Sequence, residues 1–415
     1  MGELWLKIAQ TSGAKIYSLL TGIVTLSLTA RWLGPEGRGT IAAVVTWVNL
    51  FSSLASFGLG TVVFHRATKM RDQPWIASTL GSLGFLAVMF SLTGWGIAAC
   101  LYLGTTGAVF NHLSSPILSV GFLSLPFMIW EQYASSLLMA VNQIGIYNRA
   151  QIMGRTVGVI LVVLLLSLNW GVYGVLLASL ASQMTVAQAG ITYLFKRAEK
   201  PVWPDKTVIW ELLKGGIKLQ LGAIGSFLKA NLSDILLINY YRGVQETGYY
   251  QLAVQLLSLL LIIPQSASLV VSTKVAELGP DLAWPYQRNL LLLLTAGMTG
   301  VGLIAGILAP FFIPLVAGVA FIPSVKVFQL LLCGVIGMTF ASVMASQWIG
   351  RGLFWQISAI TLSVGLLNAL LNLILIPQHG MYGAVWATTA TYMISIFGNG
   401  LMAIWVNKKY KTYAP

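Results

Sequence analysis

"ARWLGPEGRGT", residues 30–40, interrupts a chain that otherwise avoids charge. "IYSLLTGIVTLSLT" precedes it and "IAAVVTWVNLFSSLASFGLGTVVF" follows it. The flanking apolar runs can each supply a helix across the hydrocarbon, which takes about 20 residues. Gly34 and Gly39 permit backbone angles that a side chain forbids, so two helices can reverse tightly between them. Arg31, Glu36 and Arg38 then sit at a membrane interface, where long side chains reach water while their stems stay in lipid. Two roles are open for Arg31 and Arg38: part of a structural hairpin, or a gating contact.

Composition sets the class. Charged residues make up 8% of the 415 and hydrophobic residues 57%, with a mean hydropathy of +0.81; a typical soluble protein is about 25% charged. So few charges cannot cover a water-facing surface, and most of this surface must face lipid. The chain is expected to be an all-α polytopic membrane protein. Cys100 and Cys333 stand alone in separate apolar runs, which reads as buried small hydrophobes rather than a redox pair. "MGELWLKIAQ" lacks the core and cleavage site of a signal peptide, so the first helix is expected to be retained.

Twelve spans follow from the apolar runs: 14–33, 40–64, 76–103, 116–141, 150–169, 171–195, 215–239, 247–272, 288–309, 324–349, 356–376 and 380–406. "KRAEKPVWPDK" (196–206) is the longest charged, proline-broken segment and reads as a linker between halves. The expected domains are 1–205, with linker 196–205, and 206–415. With the N-terminus inside, 18 of the 24 lysines and arginines fall on inner segments and only Arg31, Arg38 and Arg242 on outer ones. That split predicts twelve helices with both termini cytoplasmic. It also explains the net charge of +13 as a topology signal, which excludes nucleic acid as a partner.

The opening turn recurs. Shifted by 209 residues, "GPEGRG" (34–39) falls on "GVQETG" (243–248), and "WGVYG" (170–174) on "HGMYG" (379–383). The same shift pairs Gly13 with Gly222, Asp72 with Asp281 and Trp75 with Trp284. Chance gives about two glycine matches at a fixed offset; there are five. An even number of helices per repeat makes two six-helix lobes of the same sense, related by a pseudo-two-fold axis along the membrane normal. That plan suits an alternating-access transporter.

"TARWLGPEGRGTIAAVV" (29–45) resembles the first outer turn of the Wzx-type lipid-linked oligosaccharide flippases of the MOP exporter superfamily. "LKANLSDILLINYYRGVQETGYYQLAVQLLSLLLIIPQSAS" (228–268) is similar to their second-half signature, with an aspartate in the helix, a glycine turn and a downstream proline. The resemblance covers essentially the whole chain, through loose and mostly structural motifs. It implies a MATE/MOP-like fold and a flippase of the bacterial inner membrane serving polysaccharide biosynthesis, such as that of lipopolysaccharide O-antigen. The implied substrate is an undecaprenyl-pyrophosphate-linked oligosaccharide, moved from the cytoplasmic to the outer leaflet. Membrane lipids, a coupling H+ or Na+ and a polysaccharide polymerase are the further partners it implies.

Charge inside a span costs at least about 2.5–3.5 kcal/mol at a helix centre and usually lines a cavity. Glu131, Lys218, Lys229 and Asp234 are such residues. Lys218 and Lys229 lie about 20° apart around the seventh helix, with Gly222, Gly225 and Ser226 on roughly the same side. Ser124, Glu131, Ser135 and Asn142 fall within about 40° on the fourth. A water-filled cavity wall and helix–helix hydrogen bonding both account for such stripes. Lysine can hold phosphate as a mobile point charge, which makes Lys229 the leading anchor for a pyrophosphate. Arg149 and Arg155 have two readings, the inner mouth of the cavity or ordinary membrane anchors.

No enzyme is expected. His65, His112 and His379 are scattered, and GxSxG, P-loop and GxGxxG motifs are absent, so neither a metal nor a cofactor is implied. A multidrug or teichuronic-type exporter of the same fold is the alternative. A membrane-embedded polymerase fits less well, because "LGTTGAVFNHLSSP" (103–116) and the other outer connections are short.

Overall fold

The structure is a computed structural model that describes residues 2–56, 58–69, 75–141, 143–198, 202–229 and 232–411. Within these, it describes all side chains except those of 2–12, 14–16, 61, 64–65, 68–69, 218–219, 221–229, 276, 354 and 407–411. The described residues form helices and no strands. Two compact units divide the chain, Met1–Ile224 and Gly225–Pro415.

The first unit holds α1 (Gly2–Ala55), α2 (Leu59–Lys69), α3 (Ile76–Gly104), α4 (Ser115–Phe122), α5 (Leu125–Ala140), α6 (Ile144–Ser167) and α7 (Gly171–Arg197). It also takes most of α8 (Lys206–Lys229). The second holds α9 (Leu232–Arg242), α10 (Val244–Leu260), α11 (Ile262–Leu278), α12 (Pro280–Ala317) and α13 (Pro323–Leu332). It ends with α14 (Val335–Gly350), α15 (Phe354–His379) and α16 (Met381–Lys411). In the first unit α6 lies along α7 and α1; in the second α15 lies along α16, and α14 along α11 and α12. Trp348 of α14 anchors a core there with Val271, Leu291, Met402 and Val406.

The unit boundary falls inside α8, whereas the sequence reading sets the division ahead of it, at 205/206. The start of α8 is tied to the first unit. Glu211 pairs with the buried Arg66 guanidinium of α2. The Asp205 N–H donates to Ser82 Oγ of α3 at 3.0 Å, and any side chain at Gly81 would meet the Trp203 carbonyl.

Among the described residues, seven helices are each long and apolar enough to cross a membrane, or eight when α13 and α14, bent by 43°, count as one span. The other expected spans are carried by more interrupted pieces. α1 is two helices joined at Gly34 (φ 63°, ψ −171°), which is the reversal read from "GPEGRG". The fourth span is divided into α4 and α5; in the seventh, α8 and α9 flank residues 230–231, which lie outside the described residues. The surfaces agree with lipid as solvent: Leu293, Leu303, Ile307, Phe311 and Leu315 of α12 are exposed, an apolar face that a water-soluble monomer would not carry.

The 209-residue repeat is visible in the backbone of each unit. Gly34 and Gly243 both take a positive φ with extended ψ (63° and 88°), and Gly171 and Gly380 share the left-handed region (55° and 59°). The fourth span breaks at Leu123–Ser124 and the tenth at Cys333–Gly334. In the second unit the first reversal is stitched to the last. Arg242 Nη2 donates to the Gln378 carbonyl at 2.9 Å, and the Met381 N–H donates to Glu246 Oε2 at 2.9 Å.

Candidate functional site

Glu131 in the first unit and Asp234 in the second are acids inside membrane-spanning bundles, and the two are housed differently. In the first unit, Glu131 on α5 faces α6. Tyr147 Oη donates to Glu131 Oε1 at 3.0 Å, and Gln151 Nε2 donates to the same oxygen. Gln151 Nε2 also lies 2.8 Å from Tyr147 Oη. The spacing of Tyr147 and Gln151 is one helical turn, so both reach one carboxylate. Arg155, a turn further on, is exposed, and its charge acts on Glu131. Ala134, Leu138, Val186 and Gly190 pack around the carboxylate and Tyr147. The carboxylate is half-buried and held by neutral donors, and the charge of the exposed Arg155 acts on it.

In the second unit Asp234 on α9 has no exposed surface. Tyr250 Oη donates to Oδ2 at 2.5 Å and Thr388 Oγ1 to the same oxygen at 2.8 Å. Asn372 Nδ2 donates to Oδ1 at 2.7 Å and Ser233 Oγ at 3.3 Å. Asn372 also donates to Asn368 Oδ1, and Asn368 in turn reaches Thr388 and Thr391. α9, α10, α15 and α16 together build this cage, all of whose members are buried. Asn372 Oδ1 has no partner among the described residues. No ion pair to Asp234 occurs among the described residues. A buried carboxylate is costly unless fully hydrogen-bonded or paired with a cation, and here neutral donors do that work. Asp234, expected on a cavity wall, is therefore enclosed in its unit.

The other sequence candidates separate by place. Arg149 and Arg155 are exposed on α6. Arg38 is buried and donates from Nη1 to Thr29 Oγ1 at 2.9 Å, tying the two helices of the first reversal together, whereas Arg31 is exposed. Ser124 and Ser135 donate to carbonyls of Gly121 and Gln132 in their own span. The side chains of Lys218, Ser226 and Lys229, and the whole of Asn142, lie outside the described residues.

Sequence reading missed Tyr147, Gln151, Tyr250, Asn372 and Thr388. A signal existed for some of them. Asn368 and Asn372 stand one turn apart in a strongly apolar helix, and polar side chains spaced so within a span have to meet something. Tyr250 and Thr388 carry no such mark.

The geometry defines a class: an all-helical membrane protein whose two repeated units each keep an acid inside a bundle. The same fold is found in "Lipid II flippase MurJ, inward closed conformation", with a TM-score of 0.75 and 15% identity over 95% of this chain and 87% of that one. An inward-facing multidrug resistance MATE transporter of the MOP superfamily gives 0.74 and 14% over 95% and 96%. An outward-facing MATE transporter gives 0.59 and 14% over 97% of each. At such identities the likeness establishes the MOP fold. Residues 4–272 match the family described as "Polysaccharide biosynthesis protein", and the chain belongs to that family. The search of curated proteins found no match. The structural neighbours are named as flippases and transporters, not enzymes.

Proposed function

We propose that the protein is an alternating-access flippase for polysaccharide biosynthesis. It moves an undecaprenyl-pyrophosphate-linked oligosaccharide from the cytoplasmic to the outer leaflet of a bacterial inner membrane, with both termini cytoplasmic and two six-helix lobes rocking about the substrate. The observation that carries this reading is the half-buried Glu131 cluster, under the charge of the exposed Arg155, inside an otherwise apolar bundle. Such a cluster is worth its cost in lipid only if water or a polar solute reaches it. The family description and the shared fold support the same reading.

In this scheme Arg149 and Arg155 meet the anionic head group at the inner mouth. Lys229 anchors the pyrophosphate, with Lys218 and Ser226 beside it, on the strength of their sequence positions alone. Arg31 and Arg38 close the outer side. Asp234 takes the coupling ion. Its carboxylate, the Asn372 side-chain oxygen and the Thr388 hydroxyl are hard oxygen ligands that suit Na+, and the same carboxylate suits H+.

A deletion strain should accumulate lipid-linked glycan at the cytoplasmic face and lose surface polysaccharide, both restored by the wild-type gene. Lys229→Ala should abolish restoration at normal membrane abundance, while Lys229→Arg keeps part of it. Normal surface glycan in the deletion strain, together with new drug sensitivity, would replace the flippase with the multidrug exporter suggested by the MATE likeness.

A further inference from the structure

The first half of α8 has two unlike faces. Val208 and Leu212 are buried on one, where a Cβ at Gly215 would stand 2.8 Å from the Val62 side chain of α2. On the other, Lys206, Trp210, Lys214 and Ile217 fall within an arc of about 80°. All four are exposed, Trp210 by 59% and Ile217 by 63%. Lys214 Nζ stands 5.4 Å from the centre of the Trp210 ring. Trp203, just ahead of the helix, is 74% exposed.

Contacts with α3 set the depth of this face. The Trp203 carbonyl lies against Gly81, and the Asp205 N–H donates to Ser82 Oγ at 3.0 Å. α3 has 29 residues and is therefore about 43 Å long, against about 30 Å of hydrocarbon. Each of its ends projects by about 6 Å, while Gly81 and Ser82 lie about 8 Å from its start. The chain thus enters α8 at the boundary between hydrocarbon and head groups, on the side that the charge split makes cytoplasmic.

Neither lysine has an acidic partner among the described residues. A cation in the first turn opposes the helix dipole, so Lys206 does not serve the helix. The acids nearby are engaged elsewhere, Glu211 with the buried Arg66 and Asp205 with Thr207. α12 shows the composition that suits bare hydrocarbon, since its exposed Leu293, Leu303, Ile307, Phe311 and Leu315 carry no charge. Tryptophan interleaved with lysine belongs instead to a helix lying in the head-group layer.

We propose that this face of α8 is a docking surface for anionic phospholipids of the inner leaflet. Lys206 and Lys214 stand about 12 Å apart along the helix, so each meets a head group of its own. Trp203, Trp210 and Ile217 rest on the glycerol and upper chains, where an amphipathic side chain is at home. The lipids thereby hold the start of the segment that joins the two units. This holds for any solute the protein carries, so its failure leaves the flippase reading standing.

Full-length protein in mild detergent is titrated with phosphatidylglycerol and with phosphatidylcholine of the same chains, and bound lipid is counted by native mass spectrometry. The wild type should bind phosphatidylglycerol about tenfold more tightly, with about fivefold from each lysine at most. Lys206→Gln with Lys214→Gln should erase most of that preference and leave phosphatidylcholine affinity unchanged. Lys206→Arg with Lys214→Arg should keep it, which guards against misfolding. Lys274→Gln with Arg288→Gln removes two exposed inner cations elsewhere and should also keep it. An equal loss in that control pair would reduce the effect to diffuse charge and overturn the surface. Displacement of the lipid by inorganic phosphate would make it an anion site alone. No preference in the wild type would overturn the lipid and leave the face to a protein partner.

Discussion

Glu131 and Asp234 are both acids within membrane-spanning helices, and both are held by a tyrosine sixteen residues further along the chain. Their surroundings differ in every other respect. Asp234 receives four donors and has no exposed surface. Glu131 receives two donors on one oxygen, is only half-buried, and feels the charge of an exposed arginine. The repeat sharpens the contrast, because neither site exists in the other unit. Asp234 corresponds to Thr25 and Tyr250 to Ile41, while Glu131 corresponds to Phe340 and Arg155 to Val364. One fold, used twice, carries a closed acid in one copy and an open acid in the other. A closed, fully hydrogen-bonded acid suits an ion that must be desolvated. An open one suits a solute arriving from water.

Substitution at Asp234 should have the largest effect. Asp234→Leu orphans the Tyr250, Asn372 and Thr388 donors in a sealed site and should cost about 3 kcal/mol or more, seen as a much lower melting temperature in detergent and lost transport. Asp234→Asn should keep the fold but remove dependence of transport on the ion gradient. Unchanged ion dependence in that variant would break the assignment of the closed acid to coupling.

A matched pair of tyrosine variants comes next. Tyr250→Phe removes a hydrogen bond to a sealed carboxylate and should cost about 1.5–3 kcal/mol, whereas Tyr147→Phe should cost about 1 kcal/mol or less, since water can replace the hydroxyl. Equal losses in parallel unfolding measurements would erase the distinction between closed and open. Glu131→Gln should then change stability by less than about 1 kcal/mol yet lower glycan export several-fold. Export at the wild-type rate would remove Glu131 from the path of the solute.

The smallest effect belongs to a third acid, the half-buried Asp205 at the start of α8. It accepts from the Thr207 hydroxyl at 2.5 Å and the Thr207 N–H at 2.8 Å. These bonds hold its carboxyl below the usual carboxylate range. A lowered folded pKa means that its stabilisation is present above the ordinary aspartate range and lost as pH falls through the folded value. Asp205→Ala should therefore lower the melting temperature slightly at neutral pH and leave it unchanged at strongly acidic pH. A difference that grows on acidification would contradict the cap.

Much of this was legible in sequence because it follows from local rules. A chain with 8% charge must find a solvent other than water, and long apolar runs must close their own backbone hydrogen bonds as helices. Gly34 and Gly243, or Gly171 and Gly380, mark their turns because only glycine enters those backbone regions cheaply. Intramembrane acids were visible because charge is rare there. Their accessibility was not. Helical periodicity placed Glu131 in a polar stripe, yet Ser124 and Ser135 of that stripe turn back to their own backbone, while Tyr147 and Gln151 come from the next helix. Asn372 and Thr388 lie 138 and 154 residues from Asp234, and no spacing rule joins residues that far apart. The sequence alone determined the solvent, the helices, their reversals and the repeat, because each depends on neighbours along the chain. Which acid is sealed and which is open depends on what the other helices bring to it, and only the tertiary structure decided that.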